Sequence, residues 1–212
     1  MLERYTTPKG FAQYPHLKEP DMKFNPEGVF SVTMRFEGMT DELKKLIEKL
    51  EAIQDKAFDE AVSEANAMNK KKIHKSDLYF EDEEGNVYLK FKQNAVIKKK
   101  DGSTVNAKIA HFDSKGKPID VNVGRDSVIR LSFTAAPYFM QSTKQVGLSL
   151  RPVAVQVIKL NEFGGSSAED YGFSAEEEGY EAFKEETPFD SLDEDEDEDE
   201  VESRKAVGAT DF

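Results

Sequence analysis

The chain has 212 residues, a net charge of −13 and neither cysteine nor tryptophan. That length accommodates one domain of ordinary size plus an appendage. Without cysteine, disulfide scaffolds, thiolate catalysis and cysteine-ligated metals are all excluded. No stretch approaches the ~18 consecutive apolar residues of a membrane span, and MLERYTTPKG carries no apolar signal core, so a soluble, intracellular protein is expected.

The average charge conceals a division. Up to Gly165 there are 26 Lys and Arg against 23 Asp and Glu, a net of +3; from Ser166 to Phe212 there are 3 against 19, a net of −16. Between Tyr88 and Leu160 the balance is 13 basic residues to four acids, a net of +9. Such asymmetry points to a polyanionic ligand for the body and an interaction tail at the C-terminal end.

In chain order, the first 27 residues are proline-punctuated aromatic phrases (GFAQYP, EPDMKFNPEG) and read as loop and edge strand. GVFSVTMRFEG then alternates with period two. It places Phe30, Val32, Met34 and Phe36 on one face and Ser31, Thr33 and Arg35 on the other, as a half-buried strand requires. Thr40 is a good helix N-cap, with Asp41 and Glu42 in the first turn. Leu43, Leu46, Ile47, Leu50, Ile53, Ala57, Phe58, Ala61 and Ala65 continue the helical stripe, which fades near Met68.

From Ser76 to Phe163 the pattern is of strands. LYFEDEEGNVYLKFK turns at Gly85-Asn86 and VIKKKDGSTVNAKIAHF at Asp101-Gly102, both hairpin signals. Asp126–Thr134 and Val146–Leu160 are further strands, with Pro152 marking a bulge or edge position. The expected fold is therefore mainly β: an antiparallel barrel or sandwich of short strands with one long helix, over residues 1–165. Gly164-Gly165-Ser166-Ser167 is a flexible joint. The acidic segment 166–212 lacks periodicity and is expected to stay disordered.

Catalytic chemistry finds no support. His16, His74 and His111 are widely separated, and no zinc, calcium-loop, Walker or nucleophile-elbow spacing occurs. Carboxylate clusters lie only in the unscaffolded tail. Neither an enzyme nor a cofactor or metal is expected.

The positive signal is a set of cations and rings on strands. In YLKFK, Tyr88, Lys90 and Lys92 share one face while Val87, Leu89 and Phe91 take the core face. A ring beside cations on a sheet can stack a base and neutralise phosphates. Arg35 shares this character. Further candidates are Lys98, Lys99 and Lys100 at a hairpin tip, Lys108 on the returning strand and Arg130 between core residues. Tyr138, Phe139 and Lys144 lie in the loop-like segment APYFMQSTK. Lysines on exposed strand faces also serve solvation and edge protection, so each one alone is ambiguous. The helix is a poor duplex reader, since Glu48, Glu51, Asp55 and Asp59 on its outer face would be repelled by phosphate.

The ordered set NPEGVFSV, the following helix, VYLKFK, HFDSKGK, the APY turn, NEFGG and an acidic tail ending in DF resembles the single-stranded DNA-binding proteins of short-tailed (podoviral) bacteriophages. The resemblance covers about Phe24 to Phe212. It implies an OB-fold barrel, a homodimer and a role in DNA replication, recombination and repair in the cytoplasm of the infected bacterial host. It also implies that the tail docks on the phage DNA polymerase and helicase-primase. The implied tail contacts are Asp193, Glu194, Asp195, Glu196, Asp197, Glu198, Asp199, Glu200, Asp211 and Phe212. Arg35, Tyr88, Lys90, Lys92, Lys108 and Tyr138 become the implied DNA contacts. The charge split adds the expectation that the tail occupies the protein's own groove when DNA is absent, its carboxylates replacing phosphates. Two rival classes remain at this stage: an acidic nucleic-acid mimic or chaperone that binds basic proteins through the tail, and a nuclease.

Overall fold

The computed structural model describes residues 3–99 and 102–161. Its elements are β1 (Arg4–Thr6), β2 (Gly10–Asp21), β3 (Val29–Phe36), α1 (Asp41–Glu64), α2 (Ala67–Lys70), β4 (His74–Lys75), β5 (Tyr79–Glu81) and β6 (Val87–Asn94). They continue with β7 (Val96–Lys98), β8 (Thr104–Asn106), β9 (Ala110–Phe112), β10 (Val128–Met140) and β11 (Gln145–Lys159). One sheet runs in the order β4-β11-β10-β2-β3-β6-β5, with β1 added to β10 and β9 to β11, while β7 and β8 form a separate ribbon. The sheet coils until β11 touches β6, but no hydrogen-bonded ladder joins those two strands among the described residues. The fold is thus mainly β and OB-like, as expected, with the sheet left open rather than sealed. Most pairs are antiparallel, yet β4 and β9 run parallel to β11.

Period-two patterning built the core as expected. Val32, Met34 and Phe36 from β3, Val87, Leu89 and Phe91 from β6, and Ile129, Leu131 and Phe133 from β10 are buried together with Leu43, Leu46, Ile47 and Leu50 of α1. Phe91 meets Phe133 edge-on, with ring centroids 5.0 Å apart, the arrangement favoured by the ring quadrupoles. Thr40 caps α1 by accepting from the Leu43 amide at 3.3 Å. Buried Gln54 donates to the carbonyls of Ser76 (2.8 Å) and Val146 (3.2 Å), fastening the helix to the sheet.

Three expectations need correction. The helix ends at Glu64, short of Met68, because Asn66 adopts extended backbone and its side chain caps α2 instead, accepting from the Asn69 amide. Such a side chain offers the backbone an alternative to continued helix. The N-terminal "loop and edge strand" is in fact β2, an interior strand of 12 residues. It begins on β10 (Gly10↔Ile129, Phe11↔Val128) and continues on β3 (Phe11↔Arg35, Gln13↔Thr33). Finally, Pro137–Met140 extends β10 rather than forming a loop. Beyond Thr134, β10 pairs only with β11 among the described residues, so the missing proline N–H disrupts nothing on the open side. Pro152 lies where the β10–β11 register shifts, as expected of a bulge.

The bulge in β2 sets the exterior of the sheet. Gln13 pairs with Thr33, but the next partner of β3, Ser31, faces His16. Three steps on one strand against two on the other invert the side-chain parity. Phe11, Gln13, His16 and Lys18 therefore share the outer face, where Gln13 is itself buried, while Ala12 and Leu17 belong to the core.

Candidate nucleic-acid interface

The pairing registers align a row of side chains across the outer wall: Phe11 on β2, Arg35 on β3, Tyr88 on β6 and Phe80 on β5. The Arg35 guanidinium carbon lies 4.5 Å from the Phe11 ring centroid. Tyr88 and Phe80 stack with centroids 4.4 Å apart and planes 2° from parallel. Phe80 remains 53% exposed, leaving an aromatic surface open at the sheet edge. Below this row follow Gln13–Thr33–Lys90 and then His16–Ser31–Lys92.

The two ends of the wall differ electrostatically. Near the β5–β6 turn, the Tyr88 hydroxyl donates to Asp82 Oδ2 at 2.8 Å, and this hydrogen bond to a carboxylate raises the phenol above its usual pKa. Hydrogen bonds, chiefly from the Asn86 amide, hold Asp82 below the ordinary carboxylate range. Arg35 also binds Asn86 Oδ1 (3.4 Å) and approaches Glu37 (3.8 Å). This end is internally satisfied and rimmed with acid. Lys90 and Lys92 are exposed and form no ion pair among the described residues. They stand two residues apart on one face, about 7 Å.

Further along β6, Lys92, Asn94, Lys98, Ser149 and Arg151 line a depression of about 480 Å³. Lys98 is paired with Glu27 at 2.7 Å, whereas Arg151 is exposed and has no such partner among the described residues. A smaller hollow of about 280 Å³ joins Lys92 and Ser31 to Phe24, which is 88% exposed. Sequence reasoning missed Phe11, Phe24, Phe80 and Arg151. Outward parity in the strand from Val146 could have signalled Arg151. Phe11 and Phe80 become visible only when the register is known.

The remaining candidates are not gathered here. Lys108 is exposed in the connection between β8 and β9, not on a strand. Arg130 faces outward on β10 opposite Gln156, with its Nε buried and without a hydrogen-bond partner among the described residues. Tyr138, Phe139 and Lys144 line a groove of about 490 Å³ between the β10–β11 hairpin end and the small residues Ala57 and Ala61 of α1. Tyr138 pairs with Gly147, on the same face as Arg151 and four residues, about 13 Å, along β11. Phe139 takes the opposite face. Lys100 and the tail positions Asp193–Glu200, Asp211 and Phe212 lie outside the described residues, as does the expectation of a disordered tail. Among the described residues no group of His, Asp or Glu could hold a metal ion, and no helix is long and apolar enough to cross a membrane.

An open OB-like sheet whose outer wall carries stacked rings, an arginine and unpaired lysines defines an oligonucleotide-binding type of β domain. Residues 8–160 match the family model described as the single-stranded DNA-binding protein of bacteriophage T7, and the chain belongs to that family. It is 26% identical over 197 residues to the single-stranded DNA-binding protein of Enterobacteria phage T3, covering 84% of this chain and 85% of the relative. Among solved structures it is similar to gp2.5, a single-stranded DNA-binding protein encoded by bacteriophage T7 (TM-score 0.68, 24% identity, 86% of this chain and all of the other). It is also similar in fold to the single-stranded DNA-binding protein of bacteriophage Enc34 in complex with single-stranded DNA (TM-score 0.50, 12% identity, 76% and 89% coverage).

Proposed function

We propose that this chain coats single-stranded DNA without sequence preference during phage replication and recombination, in the cytoplasm of the infected bacterial host. It is a binding protein, not an enzyme. The observation that carries the reading is the convergence of Arg35, Tyr88 and Phe80 with Lys90 and Lys92 on one outer wall. Bases stack on ring surfaces at about 1–3 kcal/mol each, and every base has such a face, so readout is sequence-tolerant. Lys90, Lys92, Lys98 and Arg151 supply phosphate contacts on the side away from the acidic β5–β6 turn. With about four to six phosphates neutralised, the log–log salt slope is roughly −3 to −4. A duplex buries its base faces and offers no comparable stacking.

The acidic segment beyond residue 165 recruits the phage DNA polymerase and helicase-primase, and the protein works as a homodimer. When no DNA is bound, the same segment covers the basic wall. Asn161, the last described residue, donates to Ser127 Oγ and to the Arg125 carbonyl, and Arg125 is joined to Gln13 of the outer wall.

The test is anisotropy of a labelled oligothymidylate against salt for the full chain and for Lys90→Ala/Lys92→Ala. The double variant is expected to flatten the slope by about 1.4 and to weaken binding at low salt. An unchanged slope, or wild-type protein binding duplex as tightly as single strands, overturns the reading.

A further inference from the structure

The β2 bulge does more than invert parity. Tyr14, its central residue, is 71% exposed and sits at φ 51°, in the left-handed region that disfavours a side chain of this size. Its ring contributes little to the core, while its neighbours Gln13 and Pro15 are buried. Packing therefore explains neither the conformation nor the residue type, since glycine or asparagine would occupy this backbone with less strain.

Beside the ring stands an exposed arginine. The Arg125 guanidinium carbon is 6.0 Å from the Tyr14 centroid, at the outer limit for a cation–π contact. Its Nε donates to Gln13 Oε1 at 3.1 Å and lies 3.4 Å from Asp126 Oδ2. Gln13 Nε2 in turn donates to Asp126 Oδ1. Asp126 is a second non-glycine residue at positive φ, 61°. Its amide donates to the Ala12 carbonyl (2.7 Å), the Ala12 amide to Ser127 (2.9 Å), and Asn161 Nδ2 to the Arg125 carbonyl (2.8 Å). Two strained residues and a buried glutamine thus hold one ring and one guanidinium outward. The Arg125 Nη groups make no hydrogen bond among the described residues. Strain that the surroundings over-determine is a mark of functional positions.

We propose that Tyr14 and Arg125 form a further station for single-stranded DNA, the ring stacking a base and the guanidinium meeting the adjoining phosphate. Tyr14 falls between the Gln13 row, which carries Lys90, and the His16 row, which carries Lys92. The station lies two strand spacings from those lysines, about 10 Å, and extends the path across β2. The inference rests on the proposed single-strand binding of the outer wall.

The full-length chain is titrated with labelled oligothymidylate at several salt concentrations as wild type, Tyr14→Phe, Tyr14→Asn and Arg125→Gln. Asparagine tolerates the left-handed backbone, so Tyr14→Asn removes the ring without adding strain; equal melting temperatures check that each variant folds. Tyr14→Phe is expected to bind as wild type and Tyr14→Asn about 5- to 150-fold more weakly at constant salt slope. Arg125→Gln is expected to flatten the slope by about 0.7. If wild type binds and Tyr14→Asn and Arg125→Gln match it in affinity and slope, the station is refuted while the outer wall stands. If wild type itself fails to bind, both readings fall together.

Discussion

His111 on β9 donates from Nδ1 to the Ile109 carbonyl at 2.9 Å, leaving Nε2 buried without a partner among the described residues. A proton on Nε2 would carry charge into that site with no acceptor, so burial lowers the imidazole pKa below its usual 6.5. Asp120 opposes the shift and Lys18 reinforces it; these two are themselves paired at 3.0 Å. The folded state therefore takes up its proton at lower pH than the unfolded chain. Above pH ~6.5 both forms are neutral and nothing is contributed; as pH falls below it, the unfolded chain protonates first and stability drops until the folded pKa is passed. Urea unfolding of His111→Gln and wild type at about pH 7.5 and 5.5 should show a smaller acid loss in the variant. Equal losses would rule out this role for His111. Nothing in the spacing of the three histidines marked this one, because burial comes from β9 lying against β11.

At the scale of elements, β3, β6 and the first half of α1 were readable, since each buries one face and its period appears directly in the residues. The face of Arg35, Tyr88, Lys90 and Lys92 followed from that alternation. β2 was not readable. Its bulge interrupts the period at Tyr14-Pro15, and its start is a corner shared by two neighbours. A Cβ on Gly10 would stand 2.8 Å from the Phe36 ring and 3.0 Å from the Arg35 carbonyl. Gly10→Ala must then move Phe36 or push β2 from β3 at the foot of the Phe11–Arg35 row. A loss of about 1–3 kcal/mol is expected, as for other overpacked sites, with weaker oligonucleotide binding in the same protein. Wild-type stability in a chemical denaturation series would contradict the assigned close approach.

Across the whole molecule, the division between a basic body and an acidic end predicts competition within one chain. Truncation after Gly165 should tighten oligothymidylate binding at low salt. The gap should narrow as salt rises, because an intramolecular polyanion is screened like any other charge. The truncated protein should also lose capture by the polymerase and helicase-primase. Unchanged affinity at low salt would exclude the covering role and leave the tail to partners alone.

Composition and patterning were enough to indicate a mainly β binding domain and the face of its central strands. These properties depend on local periodicity and on charge counted along the chain, and both are present before folding. The tertiary structure alone decided that the sheet stays open, that Phe11, Arg35, Tyr88 and Phe80 form one row, and that Arg151 joins Lys92. It also separated Lys108, Arg130, Tyr138, Phe139 and Lys144 from that row. Cross-strand neighbours are set by register, and here a bulge at Tyr14, a corner at Gly10 and a bulge at Pro152 determine it. Each is a relation between distant segments that no single stretch of residues contains.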